Sequence, residues 1–224
     1  LILWTSQIMA TEKYAILVGV SHYPNLEERF QLKGPANDVV LIQQVLLEKG
    51  FAENHIQVLA DGLNTQIPTR KKILAALDHL TRQVKADDFV FLHFSGHGSQ
   101  QPVSPTNQKH NEPDGLDEIF LPRDIGNWQD KAGTVKNAIV DDELNKFLTV
   151  LRNKGAFSWI VFDSCHSGTM TRGISKTAIR ERRVSPNALG VPTQALSVSQ
   201  AQNMSRVISR GSISRGLRSL NDTT

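Results

Sequence analysis

Two short stretches of this chain carry side chains able to act as a nucleophile and its base. Phe157–Gly168, FSWIVFDSCHSG, is an apolar run that ends on Asp163 and then presents Cys165, the only cysteine of the 224 residues. Asp88–Gly98, DFVFLHFSGHG, is a second apolar run, ending on His97 between Gly96 and Gly98. A thiol is mostly protonated at neutral pH and attacks as its thiolate. An imidazole within reach takes that proton and later returns it to a leaving amine. We therefore expect His97 and Cys165 to meet as acid/base and nucleophile. Gly96, Gly98 and Gly168 permit tight turns, and the backbone N–H groups of Cys165 and of the Gly98 side are candidates for holding an oxyanion. Taken singly, a cysteine is more often a small buried hydrophobe and a histidine past a strand a surface or capping residue. It is the joint placement at two strand ends that favours chemistry. A zinc site from His93, His97, Cys165 and His166 is the weaker reading, because a second cysteine is absent and the histidines do not share a helix face.

The elements that must position these residues follow from the hydrophobic pattern. Tyr14–Val20, YAILVGV, reads as a strand buried on both faces. Pro35 opens a helix in which Val39, Ile42 and Leu46 recur at helical spacing up to Gly50. His55–Ala60 is a second strand, Pro68-Thr69 opens a helix carrying Ile73, Leu77, Leu80 and Val84, and Asp88–Phe94 is the third strand. Ser99–Gly115 reads as a long polar loop, Glu118–Pro122 as a short strand and Asn127–Lys136 as a small hairpin. Acids at Asp141–Glu143 start a further helix before the fourth core strand, Phe157–Phe162. This alternation predicts an α/β fold of three layers, a mostly parallel central sheet with helices on both faces. Sites in such sheets form at the carboxyl ends of strands, where both His97 and Cys165 fall.

Composition narrows the classes. A single cysteine excludes an intrachain disulfide, and no run of 18 apolar residues suggests a membrane span. LILWTSQIM at the start lacks the basic leader and small-residue cleavage site of a signal peptide, which makes the cytoplasm the expected location. Residues 173–224 hold eight Lys/Arg and two acids, so the net charge of +3 conceals a basic tail on an acidic body. No aromatic residues interleave with those arginines, which argues against a nucleic-acid partner. Residues 174–224 read as a basic, Ser/Arg-rich linker or disordered tail following a domain over 13–173.

Several motifs together resemble one family. HFSGHGSQ around His97, DGLDEIFLPRD at 114–124, DSCHSG at 163–168, YAILVGVSHYP at 14–24 and GPANDV at 34–39 are similar to the caspase-like peptidases, in particular bacterial metacaspases (orthocaspases). The resemblance covers about residues 13–173, the large-subunit region of a caspase-like fold. It implies a cysteine-type endopeptidase with a Cys165–His97 dyad that cuts proteins or peptides after Arg or Lys. It also implies an acidic specificity pocket built from Asp38, Ser95 and Asp163, a setting suited to a guanidinium. Read without the family, Asp38 is a natural acid for a helix start and Asp163 a strand-end turn residue.

No cofactor is required by the dyad chemistry. Calcium activates many members of the family, and the acidic stretch with Asp114 and Asp117 supplies oxygen donors; Thr171-Arg172-Gly173 stands where the family carries a further acid. Caspase-like enzymes continue into a small subunit that completes the sheet, and the 51 residues after Gly173 show no such strand pattern. Two readings follow. One is an active peptidase that also cuts its own tail at Arg180, Arg182, Arg183, Arg210 or Arg215; the other is a non-catalytic caspase-like module that binds or regulates a full enzyme.

Overall fold

The computed structural model describes residues 11–104, 114–164 and 182–201. Its centre is a parallel sheet of β1 (Lys13–Gly19), β2 (Ile56–Ala60), β3 (Phe89–Ser95) and β9 (Phe157–Asp163), in the spatial order β2-β1-β3-β9. Between them in the chain lie α1 (Pro35–Glu48), α2 (Arg70–Gln83), β4 (Gly98–Pro102), β5 (Leu116–Phe120), the small β6 (Trp128–Gln129), β7 (Thr134–Val135) and β8 (Ile139–Val140), and α3 (Asp141–Asn153).

Side chains alternate across a strand, and β1 shows why the sheet is covered on both sides. Ala15 and Leu17 pack with Val39 and Leu46 of α1, whereas Ile16 and Val18 join the cluster of Ile73, Leu77 and Leu80 of α2 and Leu144 and Leu151 of α3. Gly19 lets α1 approach closely: a Cβ there would stand 2.8 Å from both the Pro35 carbonyl oxygen and a Val39 methyl. That close packing sets the α1 start beside the carboxyl ends of β1 and β3. The expected three-layer α/β architecture is the one observed.

Two elements differ from the sequence reading. The stretch opening the predicted polar loop is strand β4, antiparallel to β5, which in turn pairs with β8. GSQQP carries no apolar pattern, yet Ser99 and Gln101 are buried. Their polarity is satisfied locally: Ser99 Oγ donates to the Val184 carbonyl at 2.6 Å, and Gln101 Oε1 accepts from the Val135 N–H at 2.9 Å. The other difference is β9. Its apolar run predicts a strand covered on both faces, but it stands at the end of the sheet, with Phe157 65% and Trp159 61% exposed.

The reading of 174–224 as a linker or disordered tail does not describe its middle part. Val184, Leu189 and Val191 are buried members of the main core, a 3₁₀ turn covers Pro186–Leu189, and residues 193–201 are helical. Sparse apolar residues hid this, because three well-placed ones are enough to anchor a short segment.

Asp124 accepts from the Arg70 N–H at 2.8 Å, satisfying an open donor at the α2 start. The Arg70 guanidinium then grips Glu143 of α3 with two bonds, of 2.9 and 2.7 Å. Burial pushes the Glu143 carboxyl up, but the Arg70 hydrogen bond and charge outweigh it and hold it below the ordinary value. A depressed folded pKa means stability present above the unfolded value and lost as pH falls through the folded one. Arg70→Ala is expected to cost about 1–3 kcal/mol near pH 7. Urea unfolding should show that deficit shrinking as pH falls below 4.5, where the unfolded chain takes up a proton on Glu143 before the folded one does.

Candidate active site

The parallel register of the central sheet builds the site. Ser95 pairs with Gly19 on one side and with Asp163 on the other, so the ends of β1, β3 and β9 lie level. Asp38, in the first turn of α1, joins them, and Ser95 Oγ donates to Asp38 Oδ2 at 2.8 Å. The three residues expected to form an acidic pocket are therefore in one place.

That pocket holds a guanidinium supplied by the chain itself. Arg182 Nη2 donates to Asp38 Oδ2 at 2.7 Å, and Nη1 donates to Ser95 Oγ at 2.6 Å and to the Asp163 carboxylate. Two carboxylates and a hydroxyl are the partners a planar, five-donor cation is suited to. Gly34 forms a wall: a Cβ built on it would lie 2.5 Å from Arg182 Nη2. Its backbone angles, φ −80° and ψ −43°, suit any residue, so glycine is used here for space alone. Sequence reasoning did not find Gly34. It counted Arg182 only as one of several tail arginines.

His97 sits one turn beyond β3 and is 2% exposed. Its backbone N–H donates to the phenol oxygen of Tyr23 at 2.8 Å, and its Nε2 lies 2.8 Å from the Phe30 carbonyl oxygen. A carbonyl only accepts, so the proton is on Nε2 and Nδ1 keeps its lone pair. Nδ1 is buried with no hydrogen-bond partner among the described residues. Burial holds the His97 pKa below its ordinary value and the Arg182 cation acts the same way, while the backbone carbonyls of Phe30 and Arg182 push it back up. The lowered pKa favours the neutral imidazole, whose Nδ1 has no hydrogen-bond partner among the described residues.

The loop from Ser21 to Gln31 holds this imidazole in place. Asp61 accepts from the N–H groups of Ser21 and His22, both at 3.1 Å, and Gln31 brackets Tyr23 by accepting from its N–H at 2.8 Å and donating to its carbonyl at 3.0 Å. Burial pushes the Tyr23 phenol well above its ordinary pKa, so it stays neutral. Gly96 has no positive φ and serves close approach instead: a Cβ would stand 2.9 Å from the Tyr23 hydroxyl and 3.2 Å from the Phe120 ring. Tyr23→Phe would strand the buried His97 N–H. It should cost about 1–3 kcal/mol, read as a lower denaturation midpoint. The Tyr-Pro-Asn turn in the sequence marked a loop but gave no sign of this contact.

Gly98, expected to offer an oxyanion donor, directs its N–H at the Arg182 carbonyl oxygen, 3.1 Å away. Cys165, the expected nucleophile and second oxyanion donor, lies outside the described residues, as does Gly168.

Among the described residues, Asp114 and Asp117, the acids considered for calcium, are not grouped with a third metal-ligating side chain. Asp117 is buried in β5, Glu118 follows it on the opposite strand face, Asp124 is engaged at the α2 start, and Asp114 Oδ1 accepts from the Leu116 N–H at 3.1 Å. Among the described residues, no three His, Cys, Asp or Glu are grouped to hold a metal ion. No helix among the described residues is long and apolar enough to cross a membrane.

Known proteins share this chain's sequence pattern and fold. Residues 13–172 match the model of the metacaspase, peptidase C14 domain. Metacaspase-1 of Candida albicans is 34% identical over 161 residues, covering 70% of this chain and 34% of that protein. Metacaspase-1 of Lodderomyces elongisporus is 36% identical over 161 residues, covering 70% of this chain and 33% of its own length. In Plasmodium falciparum, Metacaspase-1 is 34% identical over 163 residues, covering 70% of this chain and 24% of its own. The chain thus spans about a third or less of these relatives' length. A crystal structure of a Geobacter sulfurreducens protein shares the fold, with a TM-score of 0.55 at 22% identity over 88% of this chain and 65% of that one. With a matched domain that runs from β1 past the end of β9, this chain belongs to the metacaspase family of C14 peptidases.

Proposed function

We propose that this chain is the catalytic region of a cysteine-type endopeptidase that cuts proteins or peptides after arginine or lysine. Cys165 is the nucleophile and His97 its acid/base. Asp38, Ser95 and Asp163 hold the substrate's cation, and the N–H groups of Gly98 and Cys165 hold the oxyanion. The observation that carries the specificity is the Arg182 guanidinium paired with Asp38, Ser95 and Asp163 in the cleft beside His97. A cation bound there places the carbonyl of its own residue on Gly98 N–H, next to the imidazole.

In this reading, Nδ1 of His97 accepts the thiol proton while Nε2–H stays on the Phe30 carbonyl, which fixes the ring. The thiolate adds to the carbonyl carbon, the oxyanion develops toward fixed N–H donors, and His97 passes its proton to the departing amine. Fluorogenic peptides ending in Arg, Lys or Asp test it. Turnover of the first two, absent in Cys165→Ala, is the expected result, measured with and without calcium. No Cys165-dependent turnover of any peptide would refute the peptidase reading, and preference for Asp would refute the cation pocket.

A further inference from the structure

Strand β3 buries a second histidine that the dyad chemistry leaves unused. His93 is 3% exposed. Its neighbours in register are Leu17 of β1 and Val161 of β9, one rung below the row of Gly19, Ser95 and Asp163 at the cation pocket. Side chains two apart on a strand share a face, so His93 lies on the Ser95 side of the sheet, about 6.6 Å further down the strand. Phe91, two residues below it, marks that face as the one under α1 by clustering with Val39 and Leu46. Between two apolar neighbours, a valine or leucine would fill the position at no cost. The imidazole instead leaves Nδ1 buried with no hydrogen-bond partner among the described residues, which is unfavourable. What histidine adds at this position is a charge that a proton can switch.

The charges around that ring are those of the pocket: Asp163 from β9, Asp38 from α1 and the Arg182 guanidinium. In the same rows β1 presents Leu17 and Gly19 and β3 presents Ser95, none of them charged. Burial holds the His93 pKa below its ordinary value; Asp163 and Asp38 pull it up, and Arg182 pushes it down. We propose that His93 is the floor of the cation pocket and sets its selectivity: the neutral ring leaves Asp38 and Asp163 to one guanidinium, whereas a proton on the ring supplies a second positive charge that competes with the substrate's cation. This role rests on the cation-pocket reading above and is independent of turnover. At a spacing of about 7 Å, two unit charges repel by more than thermal energy even at the effective dielectric of a partly buried site. Linkage makes the effect reciprocal, so a cation in the pocket and a proton on His93 weaken each other by the same factor. The pocket therefore holds its cation at neutral pH and loosens its grip in acid.

Two measurements on the full chain test the idea, with n-propylguanidinium as the probe, a cation with no peptide bond to cut. In the first, the His93 ring is titrated by NMR, with no change at the buried position. It should take its proton at a higher pH in Arg182→Gln than in wild type, and return toward the wild-type value when Arg182→Gln is saturated with the probe. His97 also feels the Arg182 charge, so the second measurement uses Arg182→Gln/His97→Gln, in which position 97 takes no proton. Probe affinity there should fall about 3- to 10-fold from about pH 7.5 to about pH 5.5, either side of the ordinary histidine value of 6.5. It should stay level once His93→Gln is added. A His93 titration indifferent to both Arg182→Gln and the probe, or an equal pH slope with and without His93→Gln, overturns the proposal, and probe binding then leaves the cation pocket standing. No probe binding at any pH refutes the pocket itself and the role of His93 with it. If His93→Gln fails to fold, the ring titration alone decides.

Discussion

Gly34→Ala is expected to lower kcat/KM for arginyl peptides about 10- to 100-fold, the equivalent of charge-assisted hydrogen bonds worth about 1.5–3 kcal/mol. The added methyl carbon would stand 2.5 Å from a guanidinium nitrogen and 3.7 Å from Asp38 Oδ2, so the guanidinium must shift off its bonds while the carboxylate stays where it is. Position 34 has right-handed helical angles, so alanine adds no backbone strain. Changing glycine to alanine at this helix-cap position alters folding by about 1 kcal/mol or less. A thermal melt close to wild type, together with the loss of arginyl turnover, separates pocket blockage from misfolding. An unchanged kcat/KM would mean that the cleft between Gly34 and Asp163 is not where the substrate's cation binds.

His97→Ala is expected to reduce turnover about a hundred- to ten-thousand-fold, the usual contribution of a positioned acid/base. Because burial, aided by the Arg182 cation, holds the imidazole pKa down, the base stays active below the ordinary histidine value of 6.5. The acid limb of kcat/KM should therefore bend below pH 6.5 in wild type. Stability has the matching sign. A lowered folded pKa lets the unfolded chain take up a proton first, so the His97 contribution to stability falls as pH drops below 6.5 and levels off under the folded pKa. His97→Gln, neutral at every pH, should remove that part of the acid sensitivity in urea titrations.

How much of this was legible in the residues depends on how local each signal is. The strand and helix alternation followed from hydrophobic period, and the elements fall within a few residues of where the period puts them. Asp38, Ser95 and Asp163 came from motif resemblance, and nothing in their immediate neighbours would have chosen them. Strand β4 was missed because its buried side chains are polar and depend on partners at Val135 and Val184. Tyr23 and Phe30 were missed for a similar reason. What matters in them is a phenol oxygen and a backbone carbonyl aimed at a residue 74 and 67 positions away, and such a contact leaves no trace in local composition.

By itself, the sequence determined a parallel α/β sheet and placed a histidine and a cysteine just past two strand ends, because the apolar period of each element is written in consecutive residues. The tertiary structure decided which cation meets the acidic pocket. In the sequence Arg182 is one more charge in a basic, Ser-rich stretch. It becomes distinctive only through buried Val184, Leu189 and Val191, which fix the backbone on β4, and through Asp38, 144 residues earlier, which receives its guanidinium. Hydrogen bonding to a pocket built from α1, β3 and β9 is a property of those elements packed together, and no stretch of the chain carries it alone.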